Sequence, residues 1–503
     1  MQHHRNHVAR LLFISTIAFM QLNAEIPTPQ ESTPSPKAWN FMVYMCNNNN
    51  LHKYAINNFQ QMTKLGSSPY VNLLLQLDVQ GEKSISRYFI ERHHPKTVQT
   101  LSNTSTSFSG TPENLYEFAQ WGIKNYPAEK ICLVLSNHGT GIKDPHAWGR
   151  ALTQIRDKLF VLNAQSGLLE IDRKRAQDLS FLRKLEDIER GIAFNEVAQV
   201  YLTNDDLRDA LNAITKDVLK GKKIDVLAMD ACYMSMIEVA SQVKNAAHFM
   251  VGSEEVEPGS GYNYQYILEP LMNNNLKDNE LAENIVAGFN KEYSYTVGDF
   301  TQSALDLSRI DDVEIALNRL SATLIELLGT DQKTAYKIIN DIRSNPNYTT
   351  EFLDTDYVDL THFLKSFASC SNDLCQDDSK DWFSFFFTNK DKTKKLWHNA
   401  HEAALDCMAA LEKVIIANTF GKNFNNAHGI SIYFPKNSIK TNYYQTEFAK
   451  TTLWPLFLKK FLSTNKRLKP TPIETSPMDA LLTGSEVASL DKNSEACYTA
   501  AHE

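Results

Sequence analysis

The sequence predicts an α/β fold: a mostly parallel sheet flanked by helices. Short apolar and β-branched segments recur along the chain, as at 39–45, 71–78 and 131–135. Segments with helical spacing separate them, and this alternation is typical of βαβ crossovers. Two reactive side chains, His138 and Cys232, each follow an apolar segment closely. A parallel sheet forms its ligand crevice at such strand ends, so the two side chains are expected to meet.

The first half of the sheet is predicted from the segments at 39–45 and 71–78, with 87–91 as a hairpin partner. Thr111 is expected to cap a helix, because Pro112 and an acid occupy the first turn of that segment. This helix leads into the strand at 131–135, which ends just before His138.

The second reactive segment runs from the apolar strand at 224–230 to Cys232. Met236, Val239 and Val243 then recur at helical spacing, and a further strand is predicted at 249–253. Cys232 is therefore expected at a strand-to-helix turn, where free N–H groups and the helix dipole stabilise a thiolate.

Beyond residue 305 the pattern becomes mainly helical, as at 313–328 and 403–417, with one late strand at 429–434. This change favours an α-rich C-terminal companion domain. The predicted organisation is a signal peptide at 1–24, a Pro/Ser/Thr linker at 25–37, an α/β domain at 38–305 with a charged loop near 143–190, the α-rich domain at 306–465 and a flexible tail at 466–503.

The N-terminus has the pattern of a secretory signal. Arg5 and Arg10 precede an apolar run at 11–20, and Ala24 offers a small residue for cleavage. The run is shorter than the about 20 residues that a bilayer span needs, so no stable membrane span is expected. The predicted location is therefore secreted, or in the periplasm or cell envelope.

Charge and cysteine content restrict the function further. Residues 1–24 contain two arginines and no acid, so their removal takes the formal net charge from -8 to about -10. With no basic tract elsewhere, nucleic acid is not an expected partner. Seven cysteines are an odd number, so at least one thiol stays unpaired within the chain and is available for catalysis.

A series of short motifs resembles the clostripain-like cysteine peptidases, which share a caspase-like fold with gingipains, legumains and caspases. The resemblance covers about residues 38–460, with the motifs in the expected order. They are 39–45 with Asn49-Asn50-Leu51, Gln76-Leu77-Asp78, Asn137-His138-Gly139, Asp230-Ala231-Cys232 with Met234 and Glu238, Ser253-Glu254-Glu255 with Glu257-Pro258-Gly259, 304–308, Val358-Asp359-Leu360 and 429–435.

The resemblance implies a caspase-like sheet and hydrolysis of peptide bonds in protein or peptide substrates. It makes Cys232 the nucleophile that forms a thioester and His138 the general base. The backbone N–H groups of Gly139 and Cys232 would form the oxyanion hole. In the family, the position of Asp230 lines the pocket that selects Arg or Lys before the cut bond.

The chain also departs from the family. Ser260, predicted to contact substrate, stands where relatives often carry a second pocket acid. The loop at 46–50 is rich in asparagine where relatives carry aspartates, and Asn195 stands where an acid is common. Fewer formal charges generally weaken calcium binding, so calcium is left open as a cofactor, and no metal ligand is assigned.

The segment at 171–190 carries many charges of both signs, including Arg173, Lys174 and Arg175. It is either a solvated helix with ion pairs or a cleavable loop. On the second interpretation the protein is a zymogen, clipped between His138 and Cys232 with residues 173–175 as the processing stretch. It would then act as a monomer or a processed two-chain form.

Two alternatives stay open at this point. The chain could be a non-catalytic exported binding protein that keeps a caspase-like scaffold, because fold alone does not prove activity. It could also be a peptidase with altered, non-basic specificity, for Asn or a small residue, if Asp230 does not point into the pocket.

Overall fold

The structure is a computed structural model, which describes residues 36–102, 108–142, 160–162, 169–171, 191–198, 200–376 and 390–468. The predicted signal peptide at 1–24 and the processing stretch at 173–175 lie outside these residues. So do most of the charged loop near 143–190 and residues 469–503 of the predicted tail.

The described chain alternates strands and helices. The strands are β1 Lys37–Asn47, β2 Val71–Val79, β3 Ser84–Glu91, β4 His94–Ser102, β5 Ala128–Ser136, β6 Phe160–Leu162, β7 Leu169–Ile171, β8 Gly191–Asn195, β9 Val200–Thr203, β10 Ile224–Asp230, β11 Ala247–Gly252, β12 Thr301–Asp306, β13 Tyr357–Asp359, β14 Ile415–Phe420 and β15 Ser431–Tyr433. The α-helices are α1 His52–Leu65, α2 Pro112–Asn125, α3 Asn204–Ala213, α4 Ile237–Val243, α5 Tyr264–Asn273, α6 Asp278–Tyr293, α7 Ile310–Thr330, α8 Gln332–Ser344, α9 Leu360–Gln376, α10 Lys390–Val414, α11 Glu447–Thr451 and α12 Trp454–Leu468.

A nine-stranded sheet forms the centre of the molecule, in the order β14-β12-β11-β10-β5-β1-β2-β3-β4. Its five central strands, β11, β10, β5, β1 and β2, pair in parallel. The strands on either side pair antiparallel. The predicted mostly parallel α/β fold is confirmed, including the hairpin between β2 and β3.

Helices cover both faces of this sheet. Side chains of a strand alternate between faces, and in β1 Met42 and Tyr44 belong to one hydrophobic cluster while Phe41 and Val43 belong to the other. The first cluster includes residues of α2, α3, α4 and α7, and the second includes residues of α1, α5 and α6. The central strands are therefore buried on both sides, which explains their near-continuous apolar sequences.

Local sequence patterns predicted the positions of several helices. The Thr111 side chain accepts a hydrogen bond from the backbone N–H of Asn114, so the predicted N-cap of α2 is confirmed. Helix α7 contains the predicted stretch 313–328. The helix predicted at 403–417 is wrong at its end, because residues from Ile415 onward leave α10 to pair as β14 with β12.

The region predicted as a companion domain shares a sheet and a core with the first part of the chain. Strand β14 adds to β12, and the Met236 bridge to Ser431 joins the segment after Cys232 to β15. One hydrophobic cluster runs from Met42 to Leu462. The C-terminal region therefore packs directly against the α/β part of the chain.

None of the helices that the structure describes combines the length and apolar character needed to cross a membrane.

Candidate active site

The pairing of β5 with β10 brings the two reactive segments together. In this parallel pair Ser136 lies opposite Asp230, and the Asn137 N–H donates to the Asp230 carbonyl at 3.2 Å. His138 and Cys232 each lie two residues beyond this matched pair. Both side chains line one cleft, as the spacing of strand ends predicted.

The cleft has about 460 Å³ of empty space, part of it open to solvent. Its walls come from the β1 loop, helix α1, the ends of β5 and β10, and the loop after β11. Among the described residues that line it there is no lysine or arginine. The lining residues are Asn47, Leu51, Tyr54, Ala55, Asn58, Ser136, Asn137, His138, Asp230, Ala231, Cys232, Glu257, Pro258, Gly259 and Gly261.

His138 is held by the loop that follows β1. The Asn50 Oδ1 atom lies 2.8 Å from His138 Nε2. Because an amide oxygen only accepts, Nε2 carries the proton in this arrangement and Nδ1 is the basic nitrogen. The His138 carbonyl accepts from the Ala193 N–H at 3.4 Å, and Gly139 bridges to Ile192 in β8. Sequence reasoning did not single out Asn50 for this contact.

The sulfur of Cys232 is surrounded by backbone donors. The Glu257 N–H donates to Sγ at 3.4 Å, and the Gly139 N–H also donates to it. A side chain at position 139 would collide with the backbone carbonyl of Cys232 and press on the Ala231 methyl group. Glycine after the histidine is therefore needed for the approach of the two reactive loops to each other, and not only for access of a substrate.

The prediction that the strand-to-helix turn stabilises a thiolate at Cys232 is wrong. Burial, followed by the negative charge of Glu257, raises the pKa of Cys232 to about 12. The next helix, α4, begins only at Ile237, so the sulfur lacks a helix N-terminus beside it. Cys232 is separated from α4 by Tyr233, which has a φ of 60°, and by the turn that follows it. The thiol is neutral at physiological pH and needs a base to become a nucleophile.

Asp230 lies at the buried end of the cleft with 4% of its surface exposed. The Tyr264 hydroxyl donates to Oδ2 at 2.9 Å. Burial raises the pKa of Asp230 to about 6. Hydrogen bonds to the carboxylate, the largest contribution coming from Tyr264, lower the pKa but do not offset burial. A Cβ at Gly261 would collide with Oδ1, so glycine at φ 63° allows the backbone to cover this carboxyl.

Glu257 is a second acid in the cleft, and sequence reasoning placed the second polar position at Ser260 instead. Ser260 is not among the residues that line the cleft, and its carbonyl accepts from the Asn58 amide at 3.1 Å. Glu257 stands directly before Pro258-Gly259 in the turn-rich loop after β11. The sequence feature that could have identified Glu257 as a cleft residue is an acid directly before these turn residues.

Donors from three segments of the chain surround the Asp78 carboxylate. The amide nitrogens of Asn48 and Asn195 donate to its carboxylate at 3.2 and 3.0 Å, and the Ser109 hydroxyl donates as well. These N–H and O–H groups hydrogen-bond to both oxygens of the Asp78 carboxylate, whereas Oδ1 of Asn47 and of Asn48 has no hydrogen-bond partner among the described residues. Within the described ranges no group of three or more His, Cys, Asp or Glu side chains is placed to hold a metal.

A caspase-like α/β sheet with a thiol-bearing cleft at its carboxyl edge defines a cysteine peptidase. The chain belongs to the clostripain family, whose model matches residues 43–158 and 181–464. It is similar to clostripain of Hathewaya histolytica, with 23% identity over 462 residues that cover 80% of this chain and 76% of that protein.

Two solved structures are among those similar to this chain, and the first of them shares its fold. One is a secreted C11 cysteine protease from Bacteroides thetaiotaomicron in complex with an irreversible peptide inhibitor, with 16% identity and a TM-score of 0.51, covering 83% of this chain and 99% of that one. The other is an inactive zymogen C11 protease from Parabacteroides distasonis, with 18% identity, a TM-score of 0.49 and the same coverage. The predicted family and caspase-like fold class are confirmed.

Proposed function

We propose that this chain is an exported cysteine endopeptidase that cuts peptide bonds after Arg or Lys, with Cys232 as nucleophile and His138 as base. One observation carries the proposal. A thiol and an imidazole line the same cleft, whose other described ionisable side chains are two carboxyl groups, Asp230 and Glu257, and a tyrosine. Such a cleft offers a nucleophile, a base and a negative pocket together.

The chemistry begins from a neutral thiol. With Nε2–H held by Asn50, the Nδ1 atom of His138 takes the thiol proton as sulfur attacks the scissile carbonyl carbon. The N–H groups of Gly139 and Cys232 stabilise the oxyanion. The imidazolium then protonates the leaving amine, and a water molecule, deprotonated by His138, hydrolyses the thioester. Because the pKa of Cys232 is raised, proton transfer accompanies attack and does not precede it.

Specificity for basic residues is supported by the position of Asp230. It lies at the strand end two residues before the nucleophile, and it lines the same cleft. A charge-assisted hydrogen bond from Arg or Lys to a buried carboxylate is stronger than one between neutral groups. The cleft residues described have no cation that would compete with the substrate.

Activation by cleavage between His138 and Cys232, at residues 173–175, belongs to the same proposal. Strand β8, which follows this segment, pairs with β9 and bridges to Gly139. A clip before β8 would therefore leave both pieces attached to the fold. Purified wild-type protein that cleaves peptides while its own chain stays intact would exclude self-processing.

A panel of fluorogenic peptides that vary only the residue before the cut tests the proposal. We expect hydrolysis after Arg and Lys, little after Asn or Ala, and no turnover by Cys232→Ala or His138→Ala. Because nucleophile and base act as a unit, each single variant should lose several orders of magnitude. Hydrolysis of Asn or Ala peptides alone would establish altered specificity, and no hydrolysis after proteolytic activation would favour the non-catalytic alternative.

A further inference from the structure

Two buried carboxyl groups face each other in the cleft. Asp230 is 4% exposed and Glu257 is 7% exposed. Within the described residues, no N–H or O–H group completes a hydrogen bond to Asp230 Oδ1 or to Glu257 Oε1. After burial, the negative charge of Asp230 raises the pKa of Glu257 further, so the two carboxyl groups are adjacent and one of them keeps a proton.

The surroundings of the pair favour one shared proton. The ionisable groups that face it are the tyrosines at 54, 262, 264 and 293, the Cys232 thiol and His138. Burial raises the pKa of each of these tyrosines, so their hydroxyls stay neutral. With no lysine or arginine on the described walls, two adjacent negative charges would be uncompensated, and like-charged carboxylates this close do not both ionise.

We propose that Asp230 and Glu257 form a proton-sharing carboxyl pair that recognises the basic side chain before the cut bond, and that the entering cation displaces the shared proton into solvent. This inference rests on the proposed function and names a specificity residue within it. Glu257 thus supplies the second acid that position 260 lacks.

The position of Glu257 suits this role. Its backbone N–H donates to Cys232 Sγ at 3.4 Å, so the residue that carries the second carboxyl is also in direct contact with the nucleophile. The Gln302 side chain lowers the pKa of Glu257 and is therefore close to its carboxyl, and it donates to the buried Tyr262 hydroxyl at 2.8 Å. Oε1 of Glu257 and Oδ1 of Asp230 are left without a donor among the described residues, so both oxygens are available to an entering cation.

Exchange of a proton for a cation has two consequences. An arginine side chain presents several N–H donors in a plane and can engage both carboxyls, whereas a lysine ammonium is a point charge. Because a proton leaves as the cation enters, preference for a charged side chain should rise with pH until the pair holds no proton in the free enzyme.

The test compares wild type with Glu257→Gln on peptides that carry Arg or citrulline before the cut, since citrulline keeps the shape of Arg without its charge. Glu269→Gln is the matched control, because Glu269 is an exposed carboxylate on the neighbouring helix α5. We expect Glu257→Gln to lower the Arg-to-citrulline ratio of kcat/KM about 10- to 100-fold, the range for a hydrogen bond to a charged group. The control should match wild type.

An unchanged ratio in folded Glu257→Gln would overturn the inference while the peptidase assignment stands. An equal loss on both peptides would also overturn it, because Glu257 would then act on the nucleophile and not on the pocket. If wild type cleaves neither peptide, the proposed function itself fails.

A second measurement needs no variant at position 257. Titration calorimetry of the Cys232→Ala protein with the two peptides near pH 6.5, in buffers of different ionisation enthalpy, counts released protons. Release of up to one proton with the Arg peptide and none with citrulline is expected. Equal release with both peptides would contradict proton exchange.

Discussion

Replacement of Asp230 by asparagine should stabilise the protein while removing the proposed preference for basic residues. Asparagine has nearly the same size, and its Oδ1 can still accept from the Tyr264 hydroxyl. What disappears is a charge that the native state buries at 4% exposure.

The magnitude follows from the pKa. Burial raises the Asp230 pKa from 3.8 to about 6, so the native state binds the proton more tightly than the unfolded chain does. The free energy of unfolding therefore falls as pH rises from about 4 to about 6 and stays lower above that range. At about 1.4 kcal/mol per pH unit, the ionised carboxylate costs the native state about 3 kcal/mol above pH 6.

Urea unfolding at pH 4.5 and pH 8 measures this difference, in a Cys232→Ala background that prevents self-digestion. Asp230→Asn should be more stable by up to about 3 kcal/mol at pH 8 and by only about 1 kcal/mol at pH 4.5. Equal or lower stability of the variant at pH 8 would show that the buried, ionised Asp230 carboxylate does not destabilise the native state.

Three further outcomes follow from the geometry of the cleft. Asn50→Ala removes the acceptor of His138 Nε2 and should lower kcat about 10- to 100-fold with little effect on KM; unchanged kcat would mean that Asn50 does not orient the imidazole. Alkylation of Cys232 by iodoacetamide, followed by peptide mass mapping, should keep accelerating past pH 9, because the thiol pKa is raised to about 12; a plateau below pH 8 would indicate a preformed thiolate. Peptidase activity in EDTA should equal that in calcium, since amides of Asn48 and Asn195 donate to the Asp78 carboxylate and no group of three or more His, Cys, Asp or Glu side chains in the described ranges is placed to hold a metal; activity restored only by calcium would contradict this.

The sheet was readable from sequence because its central strands are buried on both faces. Such strands contain continuous apolar runs, as at 131–135 in β5, and their ends fix where the following residues lie. The meeting of His138 and Cys232 at adjacent strand ends needed only that rule.

Properties set by tertiary contacts were not readable. The raised pKa of Cys232 depends on burial and on Glu257, which follows it by 25 positions in the sequence. The shift of residues from Ile415 out of α10 depends on β12 as a pairing partner, which local helical spacing does not reveal. Similarly, Ser260 and Glu257 are close in sequence, but only the turn geometry decides that Glu257 lines the cleft.

The most direct test of the account is covalent labelling with an irreversible peptide inhibitor that carries Arg before a thiol-reactive group, followed by mass spectrometry of the digested protein. We expect a single adduct on Cys232, strongly reduced in His138→Ala and absent with a citrulline inhibitor at the same concentration. An adduct on another cysteine, or proteolysis that persists in Cys232→Ala, would contradict it.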